Sequence, residues 1–174
     1  MGKSAVYILP NGKPLGAKDF NRYFEKKVLY TIRKYGMPRD AKIKKSDNLN
    51  SKVLLDLYSR FGFIKPSSKS IALDDSADDV ASGVVESWFE DMRSNFSPSS
   101  KGKSRPLGRP LFLMTDEEIK IYASLKRIKG KDKKKSPARL MLDKMEKPHP
   151  EVKRAIVQSY LQILEIMNKS KSPK

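Results

Sequence analysis

Apolar residues recur along this chain mostly at helical spacing. Phe20, Phe24, Val28 and Ile32 fall four apart, with Tyr35 three further on, so 18–35 predicts a helix with one apolar face. Gly36 and Pro38 close it. Leu49, Val53, Leu54, Leu57 and Phe61 predict a second helix, stopped by Gly62. Val80, Val84, Val85, Trp88, Phe89 and Met92 mark the apolar face of a third. Thr115 and Glu118 have capping-box spacing and start a fourth, with Ile119, Tyr122 and Leu125 inward. Ser136-Pro137 supplies an N-cap and a first-turn proline for a fifth, running through Met145. His149-Pro150 opens the last, with Val152, Ile156, Tyr160, Ile163 and Met167 as its buried face.

Strand signals are few. Residues 5–9 read as a short strand, Pro10-Asn11-Gly12 as a turn, and 13–15 as the returning arm of a hairpin. Ile71-Ala72-Leu73 is a short buried-strand candidate. The stretch 39–45 is mostly cationic and does not read as a buried strand. The expected fold is predominantly α-helical, with an N-terminal β-hairpin, a small sheet and about six helices.

Composition narrows the function classes. A chain of 174 residues can bury one ordinary core, so one domain with tails is expected. Mean hydropathy is −0.62, and no apolar run approaches the roughly 18 residues that would span a bilayer. No uninterrupted apolar stretch of signal-peptide type follows the basic start. There is no cysteine, so disulfides and thiolate metal sites are excluded, and one histidine cannot build a histidine metal site. These features point to a cytoplasmic setting, with no membrane partner.

Charge then changes the picture. Net charge is +17, and residues 74–91 hold seven acids without a single Lys or Arg. The rest of the chain therefore carries 37 cations against 13 acids, an excess of 24. Such an excess opposes compaction unless a polyanion neutralises it, and nucleic acid is the first candidate. An anionic membrane surface is second, but no segment joins a large apolar face to flanking anchors. Candidate RNA-binding residues follow the basic stretches: Arg22, Lys26, Lys27, Arg33 and Lys34 on the first helix; Lys42, Lys44 and Lys45 after it; Lys101, Lys103, Arg105 and Arg109 in the Ser/Pro/Gly-rich arm 95–110; and Lys126, Arg127, Lys129, Lys131, Lys133, Lys134 and Lys135 after the fourth helix. The arm is expected to be irregular by itself. Asp74, Asp75, Asp78 and Asp79 invite a metal hypothesis, since hard cations take carboxylate oxygens. Acids at a helix N-terminus are the simpler reading. His149 lies in a turn beside prolines, where a cap or surface role is expected.

The N-terminal stretch AVYILPNGKPLGAKDFNRYFEKKVLYTIRKYGM carries a resemblance. It is similar to the opening of the tRNA 2-thiolation enzymes, the TtuA-type branch of the PP-loop ATP pyrophosphatases. Phe20, Phe24, Glu25, Val28, Thr31, Ile32 and Tyr35 reproduce that family's first helix. The segments around Asp78-Asp79, around Pro110-Leu111 and TDEEIKIYASLKRI, and the last two helices resemble its later parts. The resemblance implies a zinc-holding hairpin, a phosphate loop and catalytic cysteines. This chain departs from each. Met1-Gly2-Lys3-Ser4 and Gly16-Ala17-Lys18-Asp19 stand where zinc ligands are expected. Ser46-Asp47-Asn48-Leu49-Asn50-Ser51 stands in place of SGGKDS, with Asp47 where phosphate would sit. Only six residues separate Phe63 from Ser70, where the family carries several further elements.

The expected organisation is therefore a remnant of an α/β PP-loop fold. Residues 1–16 form a hairpin without zinc and 17–94 a truncated core. A basic arm over 95–110, C-terminal helices over 111–168 and a basic tail over 169–174 follow. The expected function is a non-catalytic RNA-binding protein without cofactor, metal or nucleotide. Its foremost reading is a ribosomal or ribosome-associated protein on rRNA, with ribosomal proteins as neighbours. The alternative is an inactive accessory subunit of a tRNA-thiolation enzyme.

Overall fold

The computed structural model describes residues 5–44, 46–89, 99–100 and 107–170. The chain forms two compact units, each assembled from two stretches: Met1–Ser76 with Ser97–Lys133, and Ala77–Phe96 with Lys134–Lys174.

The first unit opens with the expected hairpin. Strands β1 (Tyr7–Ile8) and β2 (Pro14–Leu15) pair antiparallel, and Gly12 takes the left-handed backbone that its turn requires. Helix α1 (Ala17–Lys34) buries Phe20, Phe24, Val28, Thr31 and Ile32, as its spacing predicts. Helix α2 (Leu49–Arg60) is capped by Asn48, whose side chain accepts from the Ser51 N–H at 2.7 Å. It buries Leu49, Val53, Leu54, Leu57 and Tyr58, while Phe61 is only half-buried. Helix α4 (Asp116–Lys126) carries the complete Thr115–Glu118 capping box and packs on both α1 and α2. The Phe24 and Tyr122 rings stack at 4.5 Å between centroids, so aromatic contact joins α1 to α4.

A four-stranded sheet completes this unit, and two of its strands correct the sequence reading. Its order is β3 (Lys42–Ile43), β4 (Ile71–Ala72), β6 (Leu107–Gly108) and β5 (Ser99–Ser100). Pairing is parallel except between β5 and β6. The lysine-rich 39–45 stretch does form a strand. It lies at the sheet edge, where Lys42 and Lys44 face solvent and Ala41 is buried, and edges tolerate cations. The arm 95–110 is not wholly irregular either, because β6 is an interior strand. Backbone pairing needs no apolar pattern, and Gly108 lets this strand pass Met37: a Cβ there would meet Met37 Cβ at 3.2 Å.

The second unit is three packed helices, α3 (Ala77–Phe89), α5 (Pro137–Glu146) and α6 (Val152–Ser170). Among the described residues the protein thus has six helices and two small sheets, the architecture expected. The α5 start is as read, with the Ser136 side chain accepting from the Arg139 N–H at 3.3 Å. Two apolar faces differ from expectation. Trp88 is 65% exposed, and on α6 Ile163 is exposed while Val152, Ile156 and Tyr160 are only half-buried. Among the described side chains of α6, Lys153 and Val157 are the buried ones, and Lys153 is held there by ion pairs. The side chains of Phe89, Met92 and Met167 lie outside the described residues.

Candidate nucleic-acid interface

Helix α1 has two chemically distinct faces. Its exposed residues include Arg22, Lys26, Tyr30, Arg33 and Lys34, which recur at three- and four-residue steps and form a stripe. From Arg22 to Lys34 the helix carries that stripe over about 18 Å. None of its four cations has an ion-pair partner among the described residues.

Lys27 belongs to the other face. Its ammonium lies 2.9 Å from both oxygens of Glu118, which is fully buried at the start of α4. Tyr23 and Tyr7 donate their hydroxyls to the same carboxylate at 3.1 and 3.2 Å, and the Thr115 N–H donates to it at 2.9 Å. Glu118 therefore joins α4 to α1 through Lys27 and Tyr23, and to the hairpin through Tyr7. A second internal network uses Lys126. Tyr122 donates to Glu25 and Asp56, both at 3.1 Å, and Arg60 and Lys126 neutralise these acids at 3.0–3.6 Å. Burial first, then the Asp56 and Glu25 charges, push the Tyr122 phenol well above its ordinary value, so it stays a donor.

The loop before α2 is strapped shut by the chain itself. The Leu49 N–H donates to the Lys131 carbonyl and the Lys131 N–H to the Asp47 carbonyl, both at 2.9 Å. The Asn48 N–H turns to Ser46 Oγ and the Ser51 N–H to the Asn48 side chain. The Leu49 and Ser51 N–H groups, two donors that an anion at this helix N-terminus would use, are therefore engaged. Beside the loop is an open pocket of about 450 Å³, lined by Ile43, Ser46, Asp47, Ser51, Lys52 and Leu55. The Asp47 carboxylate at its rim is exposed, with Lys52 at 3.5 Å.

The block 126–135 is divided rather than uniformly solvated. Lys133 is partly buried, 3.1 Å from Asp74 Oδ1 and 3.1 Å from the Asp74 carbonyl. Lys131 reaches Asp47 only at 3.9 Å and is strongly exposed. Arg127, in left-handed backbone at the α4 C-cap, is exposed, as are Lys129 and Lys134. Lys135 pairs with Asp143 at 2.6 Å. Arg109 pairs with Asp75 at 2.8 Å. Lys45, Lys101, Lys103 and Arg105 lie outside the described residues.

The four aspartates are neutralised by side chains of the protein. Asp74 and Asp75 serve Lys133 and Arg109 in the first unit. Asp78 and Asp79 belong to the second, where Arg139 lies 3.3 Å from Asp78 and 3.0 Å from Asp79. Asp78, Asp143 and Glu146 converge closely enough to hold an ion, but the Lys153 ammonium stands 2.6 Å from each of them.

Sequence reasoning thus gathered Arg22, Lys26, Arg33, Lys34, Lys42 and Lys44 as exposed cations, and the structure shows them so. It missed the structural employment of Lys27, Lys126, Arg109 and Lys133, whose acid partners lie dozens of residues away, and that of Lys135, whose partner Asp143 is eight residues on. It also passed over Tyr30, whose place four residues after Lys26, outside the Phe20–Ile32 register, was a usable signal.

Neither any known protein family nor any curated protein matches the sequence. Among solved structures, the chain is similar to the U34-tRNA thiolase NcsA from Methanococcus maripaludis, determined with its [4Fe-4S] cluster. The TM-score is 0.73 at 16% identity, covering 94% of this chain and 85% of that one. A likeness at that identity shows a shared fold.

Proposed function

We propose that this protein is a non-catalytic RNA-binding protein on a tRNA-thiolase-like scaffold. The observation that carries this reading is the strapped loop: the Lys131 carbonyl takes the Leu49 N–H and the Asn48 side chain takes the Ser51 N–H, two donors that would face a phosphate, on a chain of net charge +17. The sequence contains no cysteine, so it has no ligands for a thiolate-held cluster and no sulfur nucleophile. What the scaffold retains is the cationic stripe of α1, the exposed edge lysines Lys42 and Lys44, and Arg127, Lys129, Lys131 and Lys134. Cations spread over several elements suit phosphate contacts, which position a protein on structured RNA without reading its sequence.

The foremost RNA is rRNA, with the protein as a ribosomal or ribosome-associated component in the cytoplasm. The likeness to a U34-tRNA thiolase favours a second reading, an inactive accessory subunit that helps hold tRNA for an active thiolase. Sucrose-gradient fractionation of cell extract separates the two. The ribosomal reading expects co-sedimentation with one ribosomal subunit through a moderate-salt wash. Sedimentation in the light fractions, with tRNA thiolation falling when the protein is removed, establishes the accessory reading instead. Calorimetry with Mg-ATP should show no binding, and micromolar binding would sink the non-catalytic reading.

A further inference from the structure

An exposed aromatic ring in the middle of a cationic stripe does chemistry that cations alone do not. Tyr30 is 57% exposed and lies between Lys26 and Arg33–Lys34 on the solvent face of α1. The Lys34 ammonium sits 5.6 Å from the Tyr30 ring centroid and 5.5 Å from that of Tyr35. Tyr35 is itself fixed by an edge-on contact to the buried Phe112 ring at 4.9 Å. Lys34 is thereby held between one anchored ring and one open ring, and Tyr30 keeps exposed ring surface. The exposed part of α1 that follows Asp19 contains no acid.

Resting on the RNA-binding reading, we infer that Tyr30 is a stacking platform for an unpaired RNA base, with Lys26, Arg33 and Lys34 taking the flanking phosphates. Base–aromatic stacking tolerates any base, which suits a stripe whose other members are cations placed for phosphates. The cation beside the ring strengthens the stack and places positive charge where the backbone of a stacked nucleotide runs. The other strongly exposed aromatic among the described residues, Trp88, lies in the acidic stretch 74–91 with Glu86 two residues away, where phosphate is repelled.

The test uses the full chain and two RNAs: a hairpin with an unpaired loop, and a blunt duplex of the same stem. Tyr30→Ala should weaken loop-RNA binding roughly 5- to 150-fold, the range for losing one stacked base, while duplex binding stays within about twofold. The salt dependence of binding should keep its slope in Tyr30→Ala and lose about 0.7 of a unit in Lys34→Ala. Tyr30→Phe should bind as the parent does, because the ring and not the hydroxyl is used. Trp88→Ala should leave both affinities unchanged. Equal loss on loop and duplex RNA, or no loss on either, overturns the inference while RNA binding stands. Failure of the parent protein to bind either RNA overturns the reading beneath it.

Discussion

A Cβ built on Gly130 would stand 2.6 Å from the Cα of Leu49 and 2.8 Å from its nitrogen. Only a residue without a side chain lets the 130–132 backbone approach closely enough to pair with the loop before α2. Gly130→Ala should therefore push the strap off or strain it, at a cost of about 1–3 kcal/mol. Urea unfolding that shows the variant within about 0.5 kcal/mol of the parent would mean the strap contributes little to this loop.

The two neighbouring lysines of α1 should behave oppositely. Lys27→Ala leaves the buried Glu118 carboxylate without its cation and should cost about 3 kcal/mol, since Tyr7, Tyr23 and Thr115 still donate to it. Lys26→Ala should change stability by no more than about 0.5 kcal/mol and should weaken RNA binding. Paired urea and RNA titrations read both effects, and a stability loss for Lys26→Ala as large as that for Lys27→Ala would contradict this division.

Lys153 is expected to hold the second unit together as a charge, not as a hydrocarbon. It is 3% exposed and serves three carboxylates at 2.6 Å. Lys153→Met preserves most of its volume, yet it should destabilise by about 3–5 kcal/mol because the acids are left uncompensated. A thermal unfolding curve for Lys153→Met that matches the parent would show packing to be the larger contribution.

Acid should loosen the same cluster. Burial works to raise the Asp143 carboxyl, but hydrogen bonds from Lys135 and Lys153 outweigh it and hold the group below the ordinary carboxylate value. A group that binds its proton more weakly when folded stabilises the fold fully above about pH 4 and loses that contribution as pH falls through its folded value. Stability measured against pH should drop on the acid side in the parent and drop less steeply in Asp143→Asn. Identical acid limbs would remove Asp143 from the account.

The basic block should contribute fewer phosphate contacts than its seven cations suggest. Replacing Lys133, Lys134 and Lys135 with Ala should reduce the salt slope of RNA binding by about 0.7–0.9, one phosphate's worth. Lys133 and Lys135 are committed to Asp74 and Asp143, so only Lys134 is fully available. Stability should fall as well. A slope reduced by about three units would show that RNA displaces both internal pairs.

Helices α1, α2, α4 and α5 and the hairpin were legible in the chain because each rests on local rules: apolar spacing on α1 and α2, the Thr115–Glu118 box, the Ser136-Pro137 start, and Gly12 in its turn. The sequence also determined the charge excess and the absence of cysteine, which bound the chemistry. Tertiary structure alone decided which cations are available to a partner. Lys26 and Lys27 are adjacent and identical in type, yet one faces water and the other meets Glu118, 91 residues away. The strands followed the same logic. Lys42–Ile43 and Leu107–Gly108 carry little apolar pattern and are held by backbone pairing to Ile71–Ala72, whose register no local signal encodes. The reach of an interaction set what could be read: contacts within a helical turn leave a periodicity, whereas ion pairs and parallel strands join residues whose separation in sequence is arbitrary.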